Sequence, residues 1–240
     1  MKTIVHKANE RGHANHGWLN AYHSFSFANW YNPEKVQFGM LRVLNDDTIA
    51  AGMGFGTHPH DNMEIITIPL EGDLAHKDSM GNEGVIRFGE VQVMSAGTGV
   101  EHSEMNASPT EEAKTLQLWV FPDKEEVTPR YEQKSFDIEN QINTFVNIVA
   151  PKDTANSKAL WVYQKTYFHL GIFEKNTVTT YSVKIPKNGV YLFLIEGEIE
   201  VNNQVLKARD AMGITDFDQF EIKMNSQSKI LLVEVPMNQH

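Results

Sequence analysis

Two short stretches constrain this chain more than any others. The first is Gly52-Met-Gly-Phe-Gly-Thr-His58-Pro-His60-Asp-Asn-Met-Glu64, and the second is Gly97-Thr-Gly-Val-Glu-His102-Ser-Glu104. Each places two metal-ligating side chains two residues apart. On a β-strand such residues share a face, with Cα atoms about 6.5–7 Å apart. Imidazoles at that spacing converge on one ion through bonds of about 2.0–2.1 Å. His58 and His60 therefore form one arm of a candidate clamp, and His102 and Glu104 the other. Three imidazoles and a carboxylate suit a first-row divalent transition metal and leave octahedral positions open for water or substrate. A lone His-x-His in a soluble chain is more often polar surface. Two same-face pairs, each beside a glycine-rich turn, favour a site.

The spacing Gly52-x5-His58-x-His60-x3-Glu64 resembles the first cupin motif, and Gly89-x5-Ser-Ala-Gly97-x4-His102-x3-Asn106 resembles a loosened second one. More narrowly, Arg11-Gly-His-Ala-Asn-His-Gly-Trp18, His23-Ser-Phe-Ser-Phe27, Gly56-Thr-His-Pro-His60 and Met94-Ser-Ala-Gly-Thr-Gly-Val-Glu-His-Ser-Glu104 resemble the pirin family, including its bacterial quercetinase-like members. The likeness is dense over residues 8–136 and weak afterwards. It implies an all-β bicupin: two tandem antiparallel jelly-roll barrels, with few short helices and one metal, in the first barrel. The general cupin pattern would make Glu64 the carboxylate ligand, whereas pirins place it at Glu104. Both glutamates are expected to face the cavity, since Glu64 keeps strand parity with His58 and His60. Seven residues separate Glu64 from Gly72 where the general motif has six. That slip turns the following side chains over unless a bulge absorbs it, so the expected ligands are His58, His60, His102 and Glu104.

The resemblance also supplies an activity, the ring-opening 2,3-dioxygenation of quercetin or a similar flavonol. The open metal positions would take an ortho-hydroxy carbonyl or catechol and dioxygen. Glu104 or Glu64 would accept the substrate proton. Iron heads the list of metals, with Mn, Co, Ni, Cu and Zn compatible. The alternative is a regulatory or binding protein, whose metal shapes a surface for a transcription complex or a metabolic enzyme and turns nothing over. A small aromatic substrate and dioxygen are thus the expected partners, with a protein partner in the second reading and a monomer as the expected state.

Composition narrows the field further. The chain has 240 residues, enough for two domains of about 120 each. It has no Cys, so disulfides, thiolate metal sites and cysteine nucleophiles are excluded. With 21 Lys and Arg against 31 Asp and Glu, the formal net charge is −10, which argues against direct binding of nucleic acid. The N-terminal residues lack an apolar signal core, and no apolar run reaches the length of a membrane span. A cytoplasmic home is the expectation.

Along the chain, Thr3–His6 and Leu41–Leu44 read as strands, with Asn45-Asp-Asp as a turn. Residues 11–35 are irregular, and His13, His16 and His23 are expected to pack there without binding metal. The run Glu64–Leu70 is a buried strand in which Pro69 demands an edge or a bulge. His76 is equally readable as a pocket residue or a structural one. Leu116–Phe121 closes the first barrel, and Pro122–Lys134 is the expected linker. The domains are therefore 1–133, with the metal, and 134–240, without one. Residues 136–149 are expected to hold a short helix and a strand. The second half repeats the β style, and Leu194-Ile-Glu-Gly-Glu198 echoes Leu70-Glu-Gly-Asp73. It has no His-x-His: after His102 come only His169, expected as a core residue, and the terminal His240.

Overall fold

A computed structural model of the chain describes residues 1–154 and 158–238; His240 lies outside them. Twenty-two strands and one 3₁₀ turn, Ala8–Glu10, are its regular elements among the described residues. They form two antiparallel barrels in tandem, the bicupin architecture, each made of a seven-stranded and a four-stranded sheet. No helix among the described residues is long and apolar enough to cross a membrane.

The two halves repeat one strand order, except that Val146–Pro151 and Leu160–Val162 pair parallel at the edge where Gly12–Asn15 and Leu19–His23 pair antiparallel. In the first, the large sheet runs Arg130–Ser135, Glu90–Ser95, Glu64–Glu71, Ala113–Val120, Leu41–Ile49, Leu19–His23, Gly12–Asn15. In the second it runs Lys2–His6, Ala211–Thr215, Gly189–Glu196, Ser228–Val235, Tyr167–Phe173, Val146–Pro151, Leu160–Val162. The small sheets match as well: Gly54–His60, Val100–Asn106, Leu74–Asp78, Glu83–Ile86 against Val178–Ser182, Gln219–Met224, Glu198–Val201, Gln204–Lys207. The repeated Glu-Gly marks equivalent turns. Gly72 and Gly197 both take positive φ, +70° and +95°. A Cβ on Gly197 would lie 2.3 Å from the Gln227 carbonyl oxygen, so only glycine fits that turn.

The first large sheet takes its edge strand from the connecting stretch, and the second takes its edge strand from the N-terminus. Lys2–His6 precedes the first barrel yet pairs with Ala211–Thr215 in the second, from Lys2 opposite Thr215 to His6 opposite Ala211. Arg130–Ser135 precedes the second barrel yet pairs with Glu90–Ser95 in the first. The expected linker is therefore partly a strand, and the expected boundary between 133 and 134 falls inside it. His6 fixes the N-terminal pairing further, its Nδ1 lying 2.9 Å from the buried Tyr191 hydroxyl.

Three local expectations are corrected. Asn45-Asp-Asp is no turn: Leu41–Ile49 runs straight through it, because it is hydrogen-bonded on both sides, to Leu19–His23 and to Ala113–Val120. Two flanking ladders override the turn propensity of Asn and Asp. Residues 136–149 contain the start of Val146–Pro151 but no helix; the apolar Phe136 and Ile138 are instead buried in the core between the halves. The segment 11–35 is not wholly irregular, since Gly12–Asn15 and Leu19–His23 form a hairpin. Pro69 behaves as its chemistry requires. It sits in a central strand, and the ladder slips there, with Pro69 opposite Thr115 and Glu71 opposite Lys114. Leu70 is the extra residue of that bulge.

The main core lies between the barrels. Ile66, Ile68, Val91, Leu116 and Leu118 of the first large sheet pack with Leu170, Phe193, Leu231 and Val233 of the second. The interior of the second barrel is a separate apolar cluster that includes Leu192, Leu194, Ile222 and Leu232. The first barrel differs. Its interior holds two small clusters, one around Leu19, Ile49 and Leu74, the other around Ile65, Met94 and Val100. Buried polar residues lie inside the same barrel, among them Asp47, Thr67, His76, His102 and Glu104.

The N-terminal strand makes a prediction. Deleting residues 1–7 should uncover the edge at Ala211–Thr215 and lower stability by about 2 kcal/mol or more, the net of several ladder bonds at ~1 kcal/mol each. Urea unfolding of the truncated and full chains measures it. Equal midpoints and slopes would show that the strand adds nothing.

Candidate metal centre

The strand Gly54–His60 and its neighbour Val100–Asn106 bring three histidines together. His102 stands directly opposite His58 in the antiparallel ladder. His60 lies two residues along on the same face. The ring centroids are 4.9 Å apart for His58 and His60, 4.4 Å for His58 and His102, and 4.9 Å for His60 and His102. One nitrogen from each ring falls within 4.8 Å of the other two. Between His102 and Glu104 the register shifts, so that Glu104 faces Phe55. A bulge at such a place re-aims the side chains beside it.

The turn that feeds the second arm admits little variation. Gly97 has φ +47°, and a Cβ there would stand 1.9 Å from the carbonyl oxygen of Val127.

The ring nitrogens are arranged to act as lone-pair donors. His58 Nδ1 lies 2.8 Å from the Gly56 carbonyl oxygen. A carbonyl only accepts, so Nδ1 carries the proton and Nε2 keeps its lone pair. His60 Nε2 and both ring nitrogens of His102 are buried without any hydrogen-bond partner in the protein. Leaving a buried polar atom unpaired costs about 1–3 kcal/mol. Burial, reinforced by the neighbouring imidazoles, lowers the pKa of His60 to about 4 and that of His102 to about 3. Both are therefore neutral at pH 7, the form that binds a cation. By donor chemistry and by its unpaired nitrogens, the cluster fits a divalent transition metal.

Glu104 lines the same pocket but is held differently. Its Oε2 accepts from Gln117 Nε2 at 2.7 Å and its Oε1 from the Thr67 hydroxyl at 3.2 Å. Gln117 is oriented in turn by the indole N–H of Trp119, which donates to its Oε1 at 3.1 Å. The pocket is a cavity of about 200 Å³, walled by Phe27, Phe55 and Trp119 and by the polar side chains of His23, Asn45 and Asp47.

Glu64 is not in this pocket. On the strand Glu64–Glu71, Thr67 points to Glu104, and Ile65 packs with Met94 and Val100 inside the first barrel. Glu64, Ile66 and Ile68 take the opposite face, and the two isoleucines sit in the core between the barrels. The expectation that Glu64 keeps parity with His58 and His60 fails because the chain breaks strand between His60 and Glu64 and enters the other sheet. There its Oε2 accepts from the Ser95 hydroxyl at 2.7 Å. Burial raises its pKa to about 7, opposed by Ser95, by a backbone hydrogen bond from Tyr163 and by the nearby Arg130.

The other histidines separate cleanly. His76 is buried between His102 and Tyr131, its ring 5.4 Å and 4.7 Å from theirs, with Nε2 3.2 Å from Asp78 Oδ2. His13 stacks on Tyr22. His169 is buried beside Tyr181 in the second barrel. His23 both packs, with Nδ1 2.8 Å from Asn45 Oδ1, and lines the pocket. Asp47 is the residue that sequence reasoning missed. Its Oδ1 is buried and unpartnered, and burial, with Asp46 and Glu104 nearby, raises its pKa to about 8. The alternation of Asn45, Asp47 and Ile49 within one long strand is the signal that could have placed it on the pocket wall.

The chain is similar to known proteins along nearly its whole length. Residues 4–120 match the Pirin family, and residues 148–235 match the quercetinase C-terminal cupin domain. A quercetin 2,3-dioxygenase of Escherichia coli strain K12 is 41% identical over 232 residues, covering 97% of this chain and 98% of that protein. The chain belongs to the pirin family. A pirin-like protein of Caulobacter vibrioides is 38% identical over 223 residues, covering 93% of this chain and 95% of its own. Among solved structures, the bacterial pirin YhhW from Escherichia coli in complex with nickel(II) superposes with a TM-score of 0.92 at 40% identity, over 98% of this chain and 99% of that one.

The placement of Glu64 makes a prediction with a definite sign. A carboxyl whose folded pKa is raised from 4.5 to about 7 weakens the fold as pH climbs through that interval, because the unfolded state ionises first. Glu64→Gln removes this penalty. Its melting temperature relative to wild type should therefore rise from pH 5 to pH 8, with metal content unchanged. Loss of metal in the variant would return Glu64 to the site.

Proposed function

We propose that this pirin is a metal-dependent oxidoreductase of the dioxygenase type, opening the ring of quercetin or a similar flavonol or polyphenol with dioxygen. The observation that carries it is the convergence of three imidazoles, two of them with unpaired buried nitrogens, beside a pocket walled by aromatic rings. The names of its relatives supply the substrate class.

In this reading His58, His60, His102 and Glu104 hold one divalent metal in the half spanning residues 1–133, and the half spanning 134–240 holds none. When bound, the metal would supply Lewis acidity toward adjacent substrate oxygens and, where it is a redox-active ion, an electron path to dioxygen. Iron fits that chemistry, and the imidazole and carboxylate donors also accept Mn, Co, Ni, Cu or Zn.

The protein's own groups do the rest. Gly56 sets the tautomer of His58, so that Nε2 faces the pocket. Thr67 and Gln117 orient Glu104, which retains the lone pairs needed to take a proton from the substrate hydroxyl. Glu64 has no such part, since it faces the other barrel. Phe27, Phe55 and Trp119 offer flat apolar surface to an aromatic ring and exclude water. The cavity of about 200 Å³ admits the chelating end of such a molecule.

An oxygen electrode with metal-loaded protein and a flavonol tests the reading. Turnover should consume about one dioxygen per flavonol, and His60→Ala should reduce it by about 100-fold or more, at least the upper end of the ~10–100-fold lost when only a partner of a metal ligand is removed. Glu64→Gln should stay within about twofold of wild type, because it lies outside the pocket. The flavonol absorption band should shift only with metal-loaded protein. A shift without oxygen uptake, for every flavonol tried, would replace the enzyme with a metal-dependent binding or regulatory protein.

A further inference from the structure

We propose that the cleft between the two barrels is a second ligand site, for a small aromatic monoanion, in which Lys229 binds the carboxylate or sulfonate head. The argument begins with strand parity. Ser228–Val235 is the middle strand of the second large sheet, and Leu231 and Val233 turn the face packed against the first barrel. Lys229 lies two residues before Leu231 and takes that same face, between Ile172 and Glu196 on the neighbouring strands. A cation there interrupts an otherwise apolar surface, where Lys is rare without a partner.

The packing opens at this point. A cavity of about 470 Å³ lies between the halves, within the range of small-molecule pockets. Ile68 and Val91 line it from the first barrel, Phe136 and Ile138 from the connecting segment, and Leu170 and Ile172 from the second barrel. It shares no lining residue with the histidine pocket.

Within it the ammonium of Lys229 stands 5.3 Å from the centroid of the Phe88 ring, which is itself 44% exposed. Among the described residues it makes no hydrogen bond and no ion pair. Glu196 and Glu139 act on it only through space, and burial still lowers its pKa. The two other acids of the lining are already engaged. Glu90 accepts from the Arg87 backbone N–H at 2.7 Å and from Gln133 Nε2 at 3.2 Å, and Asp137 accepts from Asn140 Nδ2 at 2.7 Å. The cleft thus sets the half-buried ammonium of Lys229, with no direct hydrogen-bond or ion-pair partner among the described residues, beside an apolar wall whose rim also carries the carboxylates of Glu90, Asp137 and Glu139. An anionic head joined to an aromatic body complements both, through a charge-assisted bond and buried area.

Anilinonaphthalene sulfonate and its uncharged counterpart N-phenylnaphthylamine test this with the folded, metal-loaded protein. Fluorescence titration should give one sulfonate site, and the sulfonate should bind at least about tenfold tighter than the neutral probe. Lys229→Met keeps the apolar stem and should erase that preference, while Lys229→Arg should preserve it. Removing the metal with a chelator should leave the affinity within about twofold, because the site lies apart from the histidines. Equal affinity of wild type for the two probes would overturn the proposal without any variant. So would full sulfonate affinity in Lys229→Met, or loss of binding on metal removal, which would put the probe in the histidine pocket. That last result would leave the proposed oxygen chemistry untouched, so the two readings fail separately.

Discussion

The packing of one large sheet against the other is the constraint on which the rest depends. Each sheet buries an apolar face in a shared core, from Ile66, Ile68 and Leu118 on one side to Leu170, Leu231 and Val233 on the other. Burial of apolar area is the dominant favourable term in folding. Here most of it is collected between the barrels and inside the second one. The first barrel is thereby relieved of filling its own interior. It can keep buried His60, His102, Glu104 and Asp47 at positions where apolar side chains would add more stability.

The contrast between the halves makes this concrete. On the strand that matches Val100–Asn106, the inward positions are Phe220, Ile222 and Met224. In the first barrel the inward positions of that strand are His102, Glu104 and Asn106. One fold therefore carries two interiors, one packed and one polar. The second barrel does hold a fully buried acidic side chain, Glu234, but engages both of its oxygens. Tyr181 Oη donates to it at 2.8 Å, the Lys184 and Ile185 backbone N–H groups at 2.8 Å and 2.9 Å, and Asn188 Nδ2 at 3.1 Å. An acid with both oxygens engaged belongs to the structure. The unpaired nitrogens of His60 and His102 are the opposite case.

How much of this was legible in the sequence follows the same division. Period-two alternation, glycine turns and the two spaced His and Glu pairs carry the all-β fold and the histidine convergence, because strand parity is a local property. Pro69 and the extra residue before Gly72 announce a bulge for the same reason. What sequence missed was non-local. Asn45-Asp-Asp reads as a turn until its two flanking ladders are known. Lys2–His6 reads as a strand, but nothing local says that it pairs with Ala211–Thr215 in the far barrel. Glu64 was misplaced because parity was carried across Asp61–Met63, where the chain leaves one sheet for the other.

That crossing also explains which glutamate lines the histidine pocket. Leaving the small sheet at His60 sends Glu64 into the large one, on the face that looks at the other barrel. There its carboxyl meets Ser95. Arg130 nearby binds the Trp161 carbonyl oxygen at 2.7 Å and stacks on its indole at 3.6 Å, tying the connecting strand to the second barrel. A glutamate so placed is a fixture of the joint between the halves. The acid near the histidines must then come from the opposing arm, where the register shift after His102 turns Glu104 toward Thr67 and Gln117. Position along the chain brings Glu64 nearer to His60 than Glu104 is. Sheet membership reverses that order in space, and sheet membership is set by the hydrogen-bond ladders rather than by the spacing of the motif.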